Sequence, residues 1–265
     1  MICIRTLDML CVWSKLLNDK MKGIITESTI KNNLVQHLIK YKNYVSCYEA
    51  KIKKCPSDSI QNEIDSYKCS SYRKNLKLKQ LVSECLNGSF TNQEMNSWII
   101  REWGGIGSFK DSDSNQAKMV KFGSDLFNHN NDVKISAISS LSKVASFVKP
   151  QEYFIYDSRT IFSLNWLLYL SDSKKFFFKP NGRNNYLIDN DYRDIVLNEY
   201  GSDFPTSVNI ETYLNYCALI NDLYDEVFEE DKDNRQPYKM EMLLYQIAPN
   251  IIVDEITDFR NNNVK

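Results

Sequence analysis

Apolar residues in this chain recur at steps of three and four, and few glycines or prolines interrupt them. Ile30, Leu34, Leu38, Tyr41 and Val45 follow this spacing, which places them along one face of a helix. The 265 residues include only 8 glycines and 6 prolines, too few for the many turns of a β-sandwich or barrel. The sequence therefore predicts an all-α protein.

The same pattern predicts individual helices. One long helix is expected over 59–86, and two are expected in 238–258 with a break near Pro249, because proline lacks the N–H that a helix interior needs. Thr91-Asn92-Gln93-Glu94 has the residue order of a capping box. We expect this segment to open a short helix that ends at Gly104-Gly105.

Basic and acidic residues are unevenly distributed along the chain. Up to Thr91 there are 15 Lys and Arg against 8 Asp and Glu, and from Asn92 onward there are 18 against 26. This asymmetry predicts a basic helical lobe over 1–91 and a second helical lobe over 92–265. A basic lobe suits contact with a polyanion, and the alternative is a lysine-rich surface that faces only solvent. The cations that would make such a contact include Lys51, Lys53, Lys54, Arg73, Lys74, Lys77 and Lys79.

Cysteine and histidine usage argues against several classes of site. The seven cysteines are an odd number and contain no C-x-x-C pair, so we expect neither a disulfide framework nor a zinc or iron–sulfur centre. His37 and His129 are the only histidines, and we expect both to be structural or surface residues. No metal or cofactor is expected, and the free thiols indicate a reduced, cytoplasmic protein.

The sequence also predicts no membrane attachment. The start of the chain lacks the order of charged, apolar and small residues that defines a signal peptide. The longest apolar stretch, 161–170, is far too short to span a bilayer.

The segment from Asn131 to Leu170 contains the candidate chemistry. Apolar residues from Ile135 to Val148 form a helical stripe, and Lys143 projects on the opposite side of that helix. An apolar run over 153–156 leads to Asp157, which stands where the N-cap of the next helix belongs. A carboxylate at that position is held by backbone N–H groups and stays ionised.

Two interpretations of this pair are open from the residues alone. In one, Lys143 is a surface lysine and Asp157 is an ordinary helix cap. In the other, an amine and a fixed carboxylate meet in one pocket and act on a substrate.

The sequence SLSKVASFVKPQEYFIYDSRT resembles the core of the helix-hairpin-helix DNA glycosylases, particularly their 8-oxoguanine glycosylase branch. Lys143–Phe147 is similar to the start of the family's catalytic helix, and Phe154–Arg159 is similar to the apolar run that ends in an aspartate. The family's Gly-x-Gly hairpin corresponds here to Ser139-Ser140-Leu141-Ser142. The interval between Lys143 and Asp157 is about one helical turn shorter than in the family.

The resemblance implies a two-lobed, all-α DNA glycosylase with a degenerate helix-hairpin-helix, which excises a damaged or modified base from double-stranded DNA. It implies Lys143 as nucleophile, with possible Schiff-base lyase activity, and Asp157 as the catalytic carboxylate. We expect a monomer that needs no cofactor. The candidates for the base pocket are Trp103, Phe162, Trp166 and the aromatic cluster 176–178. The candidates for DNA contact are Ser140, Ser142, Arg159, Lys179 and Arg183.

Several interpretations of the whole chain are open from its sequence. The chain is either an active repair enzyme or an antiviral glycosylase that acts on modified phage bases. Another is a catalytically inactive helical module that binds DNA or protein, which the serine-substituted hairpin favours and the retained pairing of lysine and aspartate disfavours. The last is a helical interaction protein that does not bind DNA, which the acidic stretch 222–233 favours.

Overall fold

The computed structural model describes residues 28–49, 52–182, 184–201 and 204–263, and within these ranges it is all-α with no β-strand. The all-α prediction is confirmed. The α-helices are α1 (Ser28–Tyr41), α2 (Asp58–Ser66), α3 (Ser71–Leu86), α4 (Gln93–Trp98), α5 (Asp113–Phe127), α6 (Ile138–Val148), α7 (Ser158–Leu170), α8 (Asn185–Asp189), α9 (Arg193–Tyr200), α10 (Ile210–Val227), α11 (Tyr238–Ile247) and α12 (Val253–Asn263). Shorter turns follow four of them: 3₁₀ turns at Lys42–Cys47 and Glu229–Asn234, and π turns at Ile99–Trp103 and Ala248–Ile252.

Two of the helix predictions are corrected by the structure. The long helix expected over 59–86 is two helices, because the chain leaves the helical conformation at Tyr67 and Ser70 then caps α3 through a hydrogen bond from Arg73 N–H. The helix expected to start at Thr91 is capped by Asn92 instead, whose side chain accepts the Met95 N–H at 3.1 Å. Asparagine is a stronger N-cap than threonine.

The predicted break near Pro249 is confirmed. Helix α11 ends at Ile247, a π turn contains the proline, and α12 begins at Val253. The missing N–H of the proline falls in that turn, so neither flanking helix loses an interior hydrogen bond.

Helices α6 and α7 lie inside the molecule. Every residue of α7 from Thr160 to Tyr169 is buried, and so is every residue of α6 from Leu141 to Val148. Helix α7 packs against α1, α11 and the second π turn, while α6 packs against α3 and the first π turn. A mostly apolar helix such as α7 is expected at the centre of a core, whereas α6 is buried together with its polar residues Ser142, Lys143 and Ser146.

Part of the basic first third of the chain pairs with the acidic remainder. Five of its lysines contact carboxylates that follow Asn92: Lys31 with Glu226, Lys40 with Glu255, Lys42 with Glu230, Lys53 with Glu102 and Lys79 with Glu241. An exposed pair contributes only about 0.2–1 kcal/mol to stability. Together, however, the five pairs place positive charges of the first third against negative charges of the remainder. The asymmetry therefore serves contacts within the molecule, in addition to any contact with a partner.

No helix in the described ranges is both long enough and apolar enough to cross a membrane.

Candidate functional site

The carboxylate of Asp157 is fixed by the start of α7. Its Oδ1 accepts the N–H groups of Arg159 at 3.0 Å and Thr160 at 3.1 Å, and the Thr160 hydroxyl accepts the Asp157 N–H at 3.0 Å. This is a complete capping box, so the prediction that Asp157 is an N-cap is confirmed. Because the cap uses Oδ1, the second carboxylate oxygen, Oδ2, is left for another partner.

That partner is Lys143, whose Nζ lies 2.9 Å from Oδ2 of Asp157. The two side chains are only 7% and 12% exposed, so Lys143 is not a surface lysine. Burial opposes ionisation of Asp157, but the Lys143 charge and the hydrogen bonds from Thr160 and Arg159 outweigh it and hold the pKa of Asp157 below its ordinary value. The carboxylate is therefore ionised at neutral pH.

A glycine gives Lys143 the space it occupies. A Cβ atom added at Gly104 would lie 2.6 Å from Lys143 Cδ, and it would also lie 2.8 Å from the carbonyl oxygen of Ile99. Gly104 follows the π turn Ile99–Trp103, and Gly105 next to it has a φ of +69°, a conformation that glycine adopts without strain. Gly104 thus lies close against the lysine stem, whereas a Cβ atom at Gly105 would meet nothing within 4 Å.

The segment that delivers Asp157 has no regular secondary structure and, within the described residues, no partner strand. Its backbone groups are instead bound by side chains from other helices. The Tyr213 hydroxyl donates to Phe154 O at 2.9 Å, the Tyr216 hydroxyl donates to Ile155 O at 2.6 Å, and Tyr156 N–H donates to Ser142 Oγ at 3.0 Å. Buried backbone groups need such partners, so these side chains define the path of residues 153–157.

A second buried ion pair, between Lys79 and Glu241, lies beside this segment. Both side chains are almost fully buried, at 0% and 2% exposure. The remaining oxygen of Glu241 accepts the Ile155 N–H at 2.5 Å. Burial raises the pKa of Glu241 although Lys79 opposes the shift, and burial lowers the pKa of Lys79 although Glu241 opposes it.

These groups surround one cavity of about 490 Å³. Lys143, Asp157 and Glu241 lie on its wall. The other lining side chains that matter for recognition are aromatic or polar: Tyr48, Trp103, Tyr245, Arg159, Asn181 and Asn184. A cavity that combines aromatic faces with a few convergent polar groups is typical of a small-molecule or nucleobase site.

Of the aromatic residues predicted for a base pocket, only Trp103 lines this cavity. Its Nε1 donates to Asn75 Oδ1 at 3.0 Å, and its ring packs edge-on against Phe147. Phe162 and Trp166 are 0% and 1% exposed, lie in the core and are absent from the cavity wall. They are corrected to core residues, because α7 is buried on every side.

The aromatic cluster 176–178 is likewise part of the packed interior and not of the cavity. Phe177 is bound at its backbone by Asn165, which accepts its N–H and donates to its carbonyl, both at 2.8 Å. The cluster packs beside α7, with Phe177 edge-on to Tyr156.

The residues predicted to contact DNA are placed differently from one another. Arg159 and Ser140 line the cavity, and the Arg159 guanidinium lies 4.6 Å from the centre of the Tyr245 ring. Ser142 is fully buried and holds Tyr156, so it is corrected to a structural residue. Lys179 pairs with Asp191 at 2.7 Å, and Arg183 lies outside the described residues.

Two further predictions concern the hairpin expected over 139–142 and the basic residues of the first third of the chain. Residues 139–142, expected as a hairpin, are part of α6, and none of them has a positive φ. Among the cations expected to bind a polyanion, Lys79 is fully buried and cannot reach one. Lys53 and Lys77 pair with carboxylates, and Lys51 lies outside the described residues.

Several cavity residues were not predicted from the sequence. Tyr48 follows a helical stripe and Tyr245 stands in an apolar helix, so both have the pattern of core residues. Glu241 carries a usable signal, because it is the single acid in the apolar stretch Tyr238–Tyr245, and an acid in such a position is seldom buried unless it is paired. Lys79, the partner of Glu241 behind the cavity wall, carries no such sequence signal, because α3 contains other lysines close to it.

Within the described ranges, no group of three His, Cys, Asp or Glu side chains could hold a metal ion. Comparison with family models, curated proteins and solved structures found no match to this chain.

Proposed function

We propose that the protein is a DNA glycosylase of the helix-hairpin-helix type, which removes an altered base from double-stranded DNA and forms a Schiff base with the sugar. The observation that carries this proposal is the 2.9 Å contact between Lys143 Nζ and Asp157 Oδ2, on the wall of a cavity large enough to admit a nucleotide. The proposed fold is the two-lobed arrangement of that family. The protein is proposed to act in the cytoplasm as a monomer without a cofactor.

Asp157 meets the main electrostatic demand of this reaction. Breaking the bond between a sugar C1′ and a base passes through a sugar cation, as in glycoside hydrolysis. A carboxylate that is already ionised and held by two backbone N–H groups stabilises such a cation without having to reorganise.

Lys143 is the proposed nucleophile. Its ammonium must first lose a proton to solvent water in the cavity, because Asp157 has to keep its charge to stabilise the sugar cation. The neutral amine attacks C1′ as the C1′–N bond breaks, and the base leaves with the bonding electron pair. The ammonium created by the attack supplies the proton that the departing base takes up. The C1′–O4′ bond then breaks, O4′ takes up a proton from solvent, and the protonated Schiff base remains.

The rest of the cavity suits a base that has been turned out of the duplex. Tyr48, Trp103 and Tyr245 offer aromatic faces, and Asn181 and Asn184 offer amide groups. Enzymes that act on a flipped base hold it by stacking and by hydrogen bonds to its edge.

Arg159 is the proposed phosphate contact at the cavity. None of the ion pairs among the described residues includes it, and it is partly exposed. Guanidinium groups bind phosphate oxygens through paired N–H donors.

One observation favours the inactive alternative. Lys143 and Asp157 already satisfy each other as an ion pair, and a buried pair of that kind also occurs in proteins for structural reasons. The same cavity would then bind DNA or another partner without chemistry.

A borohydride trapping experiment separates the two functions. Duplexes that carry oxidised guanine, alkylated bases or bulky phage-type pyrimidines are incubated with the protein, and borohydride is added. We expect a covalent protein–DNA adduct with at least one of these duplexes. The adduct is expected to disappear in Lys143→Ala and to persist in Lys149→Ala, which changes a lysine that pairs on the surface with Glu152.

Other outcomes have distinct meanings. Base release without an adduct, lost in Asp157→Asn, would show a monofunctional enzyme in which Asp157 activates water. Binding to duplex DNA with neither release nor adduct on any duplex would contradict the proposal and support the inactive module.

A further inference from the structure

Lys79 and Glu241 form a buried ion pair between α3 and α11 that the proposed chemistry does not use. The Lys79 ammonium lies 5.4 Å from the ring centres of both Phe147 and Tyr238. A buried ion pair adds little net stability compared with a well-packed apolar pair. Its position next to the cavity therefore suggests a role in arranging the site.

The geometry connects this pair directly to the segment that carries Asp157. Lys79 contacts Oε1 of Glu241, and Oε2 of Glu241 accepts the Ile155 N–H at 2.5 Å. Ile155 stands two residues before Asp157. A hydrogen bond to an ionised acceptor is about twice as strong as one between neutral groups.

The neighbouring backbone groups already have their own partners. Phe154 O, Ile155 O and Tyr156 N–H are bound by Tyr213, Tyr216 and Ser142. Glu241 is the acceptor that the described hydrogen bonds give to the Ile155 N–H. Loss of this acceptor leaves a buried N–H unpaired, which the segment can correct only by moving.

We propose that Glu241, held in place by Lys79, is a positioning residue for Asp157: it sets the path of residues 153–157 and so the placement of the Asp157 carboxylate against Lys143. A displacement of about 1 Å in a reacting group is enough to reduce a rate severely. The effect on excision rests on the proposed glycosylase function, whereas the effect on the segment does not.

Two double variants isolate the acceptor. Lys79→Met with Glu241→Gln removes both charges and keeps a side-chain oxygen for the Ile155 N–H. Lys79→Met with Glu241→Leu removes both charges and the oxygen. Neither leaves a single buried charge, so the comparison does not confuse positioning with the cost of an unpaired ion.

Amide hydrogen exchange measured by NMR reports how well residues 153–157 are held in place. The rate of single-turnover excision and the affinity for DNA report the effect on the candidate site. In the leucine variant we expect the Ile155 and Asp157 amides to exchange at least tenfold faster than in the glutamine variant. We also expect at least a tenfold slower excision with unchanged affinity for the duplex. A general loss of structure would instead change the affinity as well.

Equal exchange and equal excision in the two folded variants would overturn the proposal. If the leucine variant does not fold, the glutamine variant decides alone. The proposal is then also overturned if the backbone N–H of Ile155 exchanges as fast as that of the exposed residue Gln151. If the wild-type protein neither releases a base nor forms an adduct, the glycosylase function fails, and the exchange measurement still decides the role of Glu241.

Discussion

Nζ of Lys143 lies 2.9 Å from Oδ2 of Asp157, while Oδ1 of the same carboxylate accepts two N–H groups at the start of α7. The carboxylate therefore joins a helix terminus to an amine that comes from the neighbouring buried helix. Because each oxygen has its own partners, the pair should respond separately to removal of its charge, to added volume beside Lys143 and to a change of pH.

The charge of Asp157 is expected to stabilise the fold in a pH-dependent manner. Asn caps a helix as well as Asp does, so Asp157→Asn removes mainly the ion pair, and we expect a loss of about 3 kcal/mol at pH 7, as for a broken buried pair. Because the pKa of Asp157 is lowered in the folded state from 3.8, this stabilisation is present above that value and is lost as pH falls through the folded-state pKa.

Urea unfolding of both proteins between pH 7 and pH 2 measures this difference. The difference in free energy of unfolding between the two proteins should decrease steadily below pH 3.8. The surface variant Asp58→Asn serves as control and should change stability by no more than about 0.5 kcal/mol. A gap that widens in acid would contradict the expected sign.

Gly104→Ala is expected to disturb Lys143 directly, because the new methyl group would lie 2.6 Å from its Cδ. Overpacking of this kind costs about 1–3 kcal/mol, and adduct formation should slow as the amine is displaced. Gly107→Ala is the matched control, since a Cβ there meets nothing within 4 Å. Unfolding curves and trapping rates of the two variants test this, and equal behaviour would show that Gly104 does not constrain the lysine.

Lys79→Met is expected to destabilise the protein more than the paired change Lys79→Met with Glu241→Gln. The single variant leaves Glu241 buried without its cation, which costs about 3–5 kcal/mol, whereas a neutral pair avoids that penalty. A double-mutant cycle from urea unfolding gives the coupling. Additive effects of the two changes would mean that the charges do not depend on each other.

Arg159→Ala is expected to weaken binding to duplex DNA and to reduce the slope of log affinity against log salt by about one, as for loss of one phosphate contact. Lys118→Ala, an exposed change on α5 away from the cavity wall, should alter neither. Fluorescence anisotropy at several salt concentrations measures both. An unchanged slope in Arg159→Ala would remove this residue from the DNA contact.

The sequence predicted the helical class, the cap at Asp157 and the helix that carries Lys143, because periodicity and capping are local signals. It could not predict that α6 is buried on all sides. The residues between its apolar positions include Ser142 and Ser146, which read as a polar face but are buried and hydrogen-bonded.

The aromatic residues show the complementary difficulty. Phe162 and Trp166 were candidates for the base pocket, yet they pack in the core, whereas Tyr48 and Tyr245 have the pattern of core residues and line the cavity. Composition and spacing do not tell which aromatic residue stands next to a cavity, since that depends on how distant helices meet. Lys79 and Glu241 are 162 positions apart, and their contact has no local signal.

The path of residues 153–157 is determined by side chains that are remote in sequence, since no strand accompanies it. Ser142 on α6 and Tyr213 and Tyr216 on α10 each hold one backbone group of it. A substitution at any of these positions is therefore expected to displace the Asp157 carboxylate. These positions are therefore expected to change together during evolution.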